Sequence, residues 1–181
     1  ELENYVNNLE ALHASAHKNS GYAYKPQECV ANTTEIMLDT MLLSLPATQV
    51  YGALGSDPAS VLDASTTAMD GMMTLFYQHK GLTDRFAADT PESVKEYNHL
   101  PARHLNIRYM YMTTAFMYAA GNHIGIRWNE TRGAVSQAGP QVDENGRKIS
   151  GQYFGWGLAH EIGHNINQGC YAVAEVTNNY F

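Results

Sequence analysis

Apolar residues recur at helical spacing in two stretches of the first half of this 181-residue chain. The first stretch, residues 32–46, opens on the run NTTE, which has the form of a capping box, and ends at Pro46. The second opens on Asp57 and Pro58, a pair typical of a helix start, and ends near Gly81. The pattern predicts two helices and places these side chains of the second in the core: Val61, Leu62, Met69, Met72, Met73 and Phe76.

The hydrophobic period changes to two from residue 105 onward, which is typical of a strand. The alternating positions are Leu105, Ile107, Tyr109 and Tyr111. Residues 111–120 contain no Gly or Pro, so a helix over these residues is an alternative prediction. Residues 123–128 are a second strand candidate, and the pair Asn145 and Gly146 predicts a tight hairpin turn.

These elements predict an α+β fold with a helical first half, a small mixed sheet and one further helix over residues 157–168. The length and a hydrophobic content of 44% suit one core of ordinary size, so we expect residues 1–181 to form a single domain. The chain begins at Glu1 without a visible signal peptide. The chain ends at Phe181 and both of its ends look cut, so we expect a fragment of a longer protein that lacks its C-terminal part.

Charge and hydropathy exclude two classes of partner. A net charge of −7 and a pI near 5.5 argue against a nucleic-acid-binding surface. No apolar stretch reaches the roughly 18 residues that a membrane span requires, so we expect no span in this chain. The two cysteines, Cys29 and Cys170, are compatible with a disulfide or with two free thiols.

The run GLAHEIGHNINQ, residues 157–168, carries the strongest chemical signal. On a helix, His160 and His164 project from one face and can bind the same metal ion. Glu161 lies between them and can take a proton from a metal-bound water and later deliver it to a leaving amine. Residues 155–157, Gly-Trp-Gly, and Gly169 bracket the predicted helix. The spacing predicts zinc-dependent peptide hydrolysis.

A catalytic zinc takes three protein ligands and keeps one position open for water. Glu175 is the best third candidate, on a second helix predicted over residues 170–179. Cys170 is a rival ligand that we rank lower, because it directly follows the turn at Gly169. Asn179 lies one helical turn beyond Glu175, where its amide oxygen could accept the free ring N–H of a zinc histidine. Alternatively, Asn179 is an ordinary polar residue near a helix end.

Residues 160–181, HEIGHNINQGCYAVAEVTNNYF, resemble the active-site region of the enhancin-like, mucin-degrading zinc metallopeptidases, a gluzincin family with HExxH and a downstream Glu. The runs GNHIGIRW at 121–128 and TEIMLDTMLLSLP at 34–46 also look like this family. The resemblance implies a zincin-like catalytic domain with one zinc ion. It implies His160, His164 and Glu175 as ligands, Glu161 as general base, and an oxyanion-stabilising residue beyond Phe181.

The same resemblance implies glycoprotein or mucin substrates cleaved next to an O-glycosylated Ser or Thr, an extracellular location, and further carbohydrate-binding or anchoring domains. We expect residues 121–128 to form an exposed edge strand that binds the substrate backbone. Gly121 and Gly125 would let a bulky substrate approach, or they only shape a turn and a bulge. The candidate substrate contacts are Gly121, Asn122, His123, Ile124, Gly125 and Trp156.

Three functional classes stay open at this point. The first is an active glycoprotein-directed metallopeptidase, which the presence of all four expected residues favours. The second is a catalytically silent glycan- or protein-binding module that retains the zincin fold. The third is a zinc hydrolase of non-peptide substrates. A further alternative is that His160 and His164 are ordinary polar groups of a buried helix.

Overall fold

Five α-helices and a five-stranded sheet form most of what the computed structural model describes. The described residues are 1–14, 32–110, 112, 114–135, 141–142, 145, 148–149, 156–168 and 172–179. The helices are α1 (Leu2–Ala14), α2 (Ala47–Leu54), α3 (Pro58–His79), α4 (Glu92–Asn98) and α5 (Trp156–Ile166). The strands of the sheet are β1 (Thr33–Met37), β2 (Met41–Pro46), β3 (Leu105–Met110), β4 (Met117–Ala120) and β5 (His123–Arg127). A separate antiparallel pair comprises β6 (Gln141–Val142) and β7 (Lys148–Ile149), and 3-10 helices cover Trp128–Val135 and Thr177–Asn179. The α+β prediction is confirmed.

The strand order of the sheet is β1-β2-β3-β5-β4. The central pairs β2–β3 and β3–β5 are parallel, whereas β1 and β4 pair antiparallel with their neighbours. The strand predicted at residues 123–128 is confirmed as β5, but β5 lies between β3 and β4. The expectation that residues 121–128 form an edge is therefore wrong. The edge on this side is β4, which also excludes a helix over all of residues 111–120.

The helix predicted over residues 32–46 is wrong, because these residues form the hairpin β1–β2. Side chains of β1 alternate strictly between exposed and buried, with Thr34 and Ile36 facing inward. This period of two outweighs the local capping-box signal, because residues two positions apart would lie on nearly opposite faces of a helix and could not all face inward. The turn between the strands is held by Asp70 of α3, which accepts hydrogen bonds from the backbone of Asp39 (3.1 Å) and Thr40 (2.9 Å).

The long helix predicted after Asp57 is confirmed as α3. Asp57 caps it by accepting a 3.4 Å hydrogen bond from the Ser60 N–H, and Gly81 follows it with φ of +68°. Its inward face buries Leu62, Phe76 and all three predicted methionines, and Val61 is partly buried against the same core: the methionines are Met69, Met72 and Met73. The strand predicted from Leu105 is confirmed as β3, and the turn residue Asn145 lies between the paired strands β6 and β7.

Helix α5 packs against β4, β5 and the 3-10 helix Thr177–Asn179. Leu158, Ile162 and Ile166 repeat at a spacing of four and are buried in the core. Burial of each such side chain contributes about 1.5–3 kcal/mol, which fixes the rotation of the helix about its axis. The helix predicted over residues 157–168 is thereby confirmed for its greater part, and its opposite face carries the polar motif. None of the described helices combines the length and the apolar character that a membrane span requires.

Candidate metal centre

His160 and His164 project from the same face of α5, as their spacing predicts. Their ring centroids are 4.9 Å apart and the rings meet edge to face, at 87°. Both side chains are largely shielded, with exposed fractions of 13% and 26%. Ligand atoms of His160, Glu161 and His164 all lie within 4.8 Å of one another. This group of donors is compact enough for one metal ion.

Glu175 places one carboxylate oxygen against each histidine. Its Oε2 lies 3.1 Å from His160 Nε2, and its Oε1 lies 3.3 Å from His164 Nε2. In a tetrahedral zinc site with bonds of 2.0–2.1 Å, neighbouring ligand atoms are about 3.3 Å apart. Two imidazole nitrogens and a carboxylate at this spacing are therefore a donor set that fits zinc.

The backbone around Glu175 differs from the prediction. The described residues 172–179 form a turn and a short 3-10 helix, so the second helix predicted over residues 170–179 is wrong. Glu175 has φ of +61°, a left-handed conformation that ends any helix and costs a non-glycine residue about 1–2 kcal/mol. The N–H groups of Val176 and Thr177 both donate to the Val173 carbonyl, at 3.1 and 3.0 Å. Cys170, the rival ligand, lies outside the described residues.

Asn179 contacts His160 at the position that the proposed orienting role requires. Its Oδ1 lies 2.8 Å from His160 Nδ1, which suits the tautomer with the ring proton on Nδ1, and Asn178 Nδ2 lies 3.1 Å from the same nitrogen. The opposite nitrogen, Nε2, is the one that faces Glu175. This tautomer is the one in which Nε2 can bind a metal. Asn179 also fixes its own turn, since its Nδ2 donates to the Glu175 carbonyl at 2.9 Å.

Asn178 is a residue of this centre that the sequence did not reveal. It is fully buried, and its Nδ2 lies 3.1 Å from His164 Nε2 and 3.2 Å from His160 Nε2. Its Oδ1 has no hydrogen-bond partner among the described residues. The signal was present in Gly163, because a Cβ there would lie 2.2 Å from the Asn178 carbonyl oxygen. A glycine inside the HExxH helix indicates that another backbone approaches it closely.

Glu161 extends toward the edge strand. The backbone of Ala119 in β4 donates a hydrogen bond to its carboxylate. Burial raises the pKa of Glu161 above its usual value, while the nearby His160 and His164 act in the opposite direction. A carboxylate with a raised pKa is a better proton acceptor near neutral pH. The Ala119 backbone binds the carboxylate of Glu161, whereas both oxygens of Glu175 face the histidines, so Glu175 stays our candidate for the third ligand.

A groove of about 570 Å³ runs between β4 and α5. Tyr118, Ala119 and Gly121 line one side of it. Glu161, His164 and Glu175 line the other side. The exposed edge of the sheet thus lies directly beside the candidate metal ligands.

The predicted substrate contacts separate into exposed and buried residues. Gly121 lines the groove and Asn122 is exposed in the turn before β5. His123, Ile124 and Gly125 are buried within the sheet. Trp156 is the first residue of α5, and its side chain lies outside the described part of the structure. Contact of any of these residues with substrate stays a prediction.

Tyr118 on β4 accounts for the glycine at position 125 and contacts the buried side chain of His123. A Cβ at Gly125 would lie 2.2 Å from the ring of Tyr118, so the glycine makes room for that ring. The Tyr118 hydroxyl lies 2.8 Å from His123 Nε2, and an Arg108 N–H group lies 3.0 Å from the same nitrogen. Burial, and then the charge of Arg108, lower the pKa of His123. These contacts fix β4 to β5 and thereby shape one side of the groove.

Comparison with solved structures shows the same architecture in longer proteins. A structure of Clostridium perfringens ZmpB with CBM32 and M60 catalytic domains is 20% identical, with a TM-score of 0.64, and the match covers 99% of this chain and 15% of that one. The M60 catalytic domain of ZmpC from the same organism, in complex with the sialyl T antigen, is 21% identical, with a TM-score of 0.57, over 99% of this chain and 28% of that one. This likeness shows the fold of an M60 catalytic domain.

A protein of Bacillus anthracis described as functionally unknown has a similar fold, with 15% identity and a TM-score of 0.54 over 91% of this chain and 30% of that one. The chain therefore spans less than a third of the length of these solved structures. No family model matches the sequence, and no curated protein matches it.

Proposed function

We propose that this chain is the catalytic domain of a zinc-dependent endopeptidase that hydrolyses peptide bonds of glycoproteins or mucins. The observation that carries the proposal is the position of Glu175, whose two oxygens lie 3.1 and 3.3 Å from the Nε2 atoms of the HExxH histidines. A residue outside the HExxH helix thus lies at nitrogen–oxygen distances close to the roughly 3.3 Å between neighbouring ligand atoms of a tetrahedral zinc site. Two satisfied structural histidines would not require a carboxylate in a strained left-handed turn.

His160, His164 and Glu175 would hold the zinc ion, and Asn179 would keep the His160 ring in the required tautomer. The bound zinc would supply a Lewis acid that lowers the pKa of water and polarises the scissile carbonyl. A set of two imidazoles and one carboxylate leaves a single net positive charge on the ion.

Glu161 would act as the general base. Its carboxylate is held by the backbone of Ala119, and burial raises its pKa, so it can accept a proton from water and pass it to the leaving nitrogen. This side chain would then serve twice in one turnover, first as base and then as acid.

The substrate backbone would lie along β4, the edge strand beside α5. An exposed strand edge provides main-chain hydrogen bonds that do not depend on substrate sequence. The groove between β4 and α5 has a volume of about 570 Å³, and we infer that it takes a segment of the substrate peptide. Gly121 directly follows β4 and lines the groove. It has no side chain, and nothing lies within 4 Å of where its Cβ would be, so the groove is open at this position. An O-linked sugar next to the scissile bond could enter there.

The preference for glycoproteins rests on the resemblance of residues 160–181 to mucin-degrading metallopeptidases and on the structural likeness to ZmpC, which was solved with the sialyl T antigen. An extracellular enzyme attached to further carbohydrate-binding or anchoring domains is part of the same proposal, because the similar ZmpB chain combines its M60 domain with CBM32 domains. Residues 1–181 would then form one domain of such a protein.

The test is incubation of the protein with a mucin, with and without a zinc chelator, and the readout is new peptide ends. Chelator-sensitive cleavage is the expected result, with Glu161→Gln as the matched inactive variant. The same substrate after enzymatic removal of O-glycans should be cleaved more slowly. Zinc binding without cleavage of any mucin or peptide would instead identify a silent glycan- or protein-binding module.

A further inference from the structure

Lys80 follows α3 and reaches the segment that carries Glu175. Its ammonium donates one hydrogen bond to the Thr177 carbonyl and another, of 2.8 Å, to Asn167 Oδ1. The backbone carbonyl of Lys80 accepts a 2.8 Å hydrogen bond from Gln168 Nε2. This residue therefore connects the end of α3 with the residues after α5 and with the first residue of the 3-10 helix Thr177–Asn179.

The internal hydrogen bonds of residues 172–179 fix the shape of the turn. Val173 accepts from Thr177, and Glu175 accepts from Asn179, both within the segment. Such bonds do not fix where the turn lies relative to α5. The Lys80 contact adds to the contacts of Asn178 and Asn179 with the histidines in fixing that position, since Thr177 is only two residues beyond Glu175 and is held against Asn167, three residues beyond His164.

The environment makes these bonds strong. Lys80 is half-buried, and burial lowers the pKa of its ammonium. Hydrogen bonds from an ammonium are charge-assisted, and they are stronger where water is partly excluded. The two hydrogen bonds of the Lys80 ammonium described above go to Thr177 and Asn167, which are not candidate ligands, so through these bonds Lys80 acts on the ligands by way of the backbone.

We propose that Lys80 is a positioning residue of the metal centre, which holds the turn of Glu175 so that its carboxylate faces His160 and His164. The inference rests on the proposed function, because it assumes that these three residues bind zinc. It adds a residue that directly follows α3, a helix that carries none of the proposed ligands.

The test measures zinc affinity by competition with a chromophoric chelator, alongside thermal unfolding of the metal-free protein. Lys80→Met keeps the length of the side chain but removes its charge and donors. We expect zinc affinity to fall about 10–100-fold, as when other residues that orient ligands are lost. Lys80→Arg, which retains a charged donor, should recover most of the loss. Lys95→Met is the matched control, because Lys95 forms a surface ion pair with Glu92 and should leave the affinity unchanged.

Unchanged zinc affinity in Lys80→Met would overturn the inference while leaving the zinc site intact. An equal loss of zinc affinity in Lys95→Met would overturn the inference, because the loss would then follow from the change in net charge. An equal loss in Lys80→Arg, with both metal-free Lys80 variants unfolding at lower temperature, would also overturn it, because the role of Lys80 would then be one of packing. Wild-type protein that binds no zinc would overturn the proposed function and this inference together. If Lys80→Met does not fold, Asn167→Ala replaces it, and an unchanged affinity in that variant overturns the inference.

Discussion

Gly163 of the HExxH helix lies directly against the backbone of Asn178. A Cβ at position 163 would be 2.2 Å from the Asn178 carbonyl oxygen and 2.7 Å from its Cα. Both atoms belong to the segment that carries Glu175 and Asn179. The glycine therefore sets how closely that segment approaches the two histidines.

Gly163→Ala should separate the helix from this segment, because a backbone cannot yield as a flexible side chain does. We expect about 1–3 kcal/mol of lost unfolding free energy, as for other overpacked sites. Zinc affinity should fall by at least about tenfold, as when residues that orient ligands are lost. Gly71→Ala is the control: nothing lies within 4 Å of its Cβ position on α3, so it should stabilise by up to about 1 kcal/mol. Equal stability of the two variants in urea denaturation would contradict the prediction.

Glu161→Gln should separate metal binding from proton transfer. The amide keeps the shape of the side chain but cannot accept a proton, so we expect cleavage to slow by about 10²–10⁴-fold. Zinc content, measured by elemental analysis, should equal that of the wild-type protein. Glu3→Gln on α1 is a suitable control for the loss of one negative charge. Loss of zinc from Glu161→Gln would make Glu161 a ligand.

Glu175 combines a proposed ligand role with a left-handed backbone, and two substitutions distinguish these properties. Both Glu175→Ala and Glu175→Gly should lose zinc, because each removes the carboxylate. The glycine variant should nevertheless be more stable than the alanine variant by about 1 kcal/mol, since glycine adopts this φ without a steric cost. Unfolding of the metal-free proteins measures the difference. A more stable alanine variant would contradict the observed conformation, and retained zinc in either variant would remove Glu175 from the ligand set.

The histidine pair and its helix could be predicted from sequence because the information is local. The spacing of His160 and His164, together with Leu158, Ile162 and Ile166, specifies both the helix and the face that it buries. Glu175 is the predicted third ligand because of its residue type and its distance along the chain, but the sequence did not predict its backbone conformation. The left-handed Glu175 belongs to a segment that contacts α5 and Lys80, and hydrophobic periodicity does not report such tertiary contacts.

The errors in the sheet have two different causes. In residues 32–46 a local capping signal competed with a period-two pattern, and pairing with β3 favoured the strand. Strand β4 has only four residues, all half-buried, so its sequence lacks the alternation that reveals a strand. Because the sequence did not indicate β4, the predicted edge of the sheet was β5, which lies one strand inside the observed edge. Short edge strands are thus the part of this fold that pattern alone describes least well.

Asn179→Ala tests whether the amide orients the zinc-binding ring. The substitution removes the acceptor that lies 2.8 Å from His160 Nδ1, so the ring can rotate and its Nε2 becomes a weaker ligand. We expect zinc affinity to fall about 10–100-fold, measured against a competing chelator. Asn7→Ala, at an exposed position of α1, should leave the affinity unchanged. Affinity that is equal in the two variants would reduce Asn179 to an ordinary polar residue.

His123 should make the stability of the metal-free protein sensitive to acid. Burial and then the charge of Arg108 lower its pKa in the folded state, so the unfolded chain binds the proton first as the pH falls below about 6.5. Stability should therefore decrease from pH 7.5 to pH 5.5, and the decrease should level off once the folded-state pKa is passed. His123→Gln should show a shallower decrease over the same range, measured by urea denaturation in the presence of a chelator. His104→Gln, at an exposed position, should behave like the wild type. An identical slope in wild type and His123→Gln would show that His123 does not contribute to the acid sensitivity, because only a difference in its pKa between the two states can produce one.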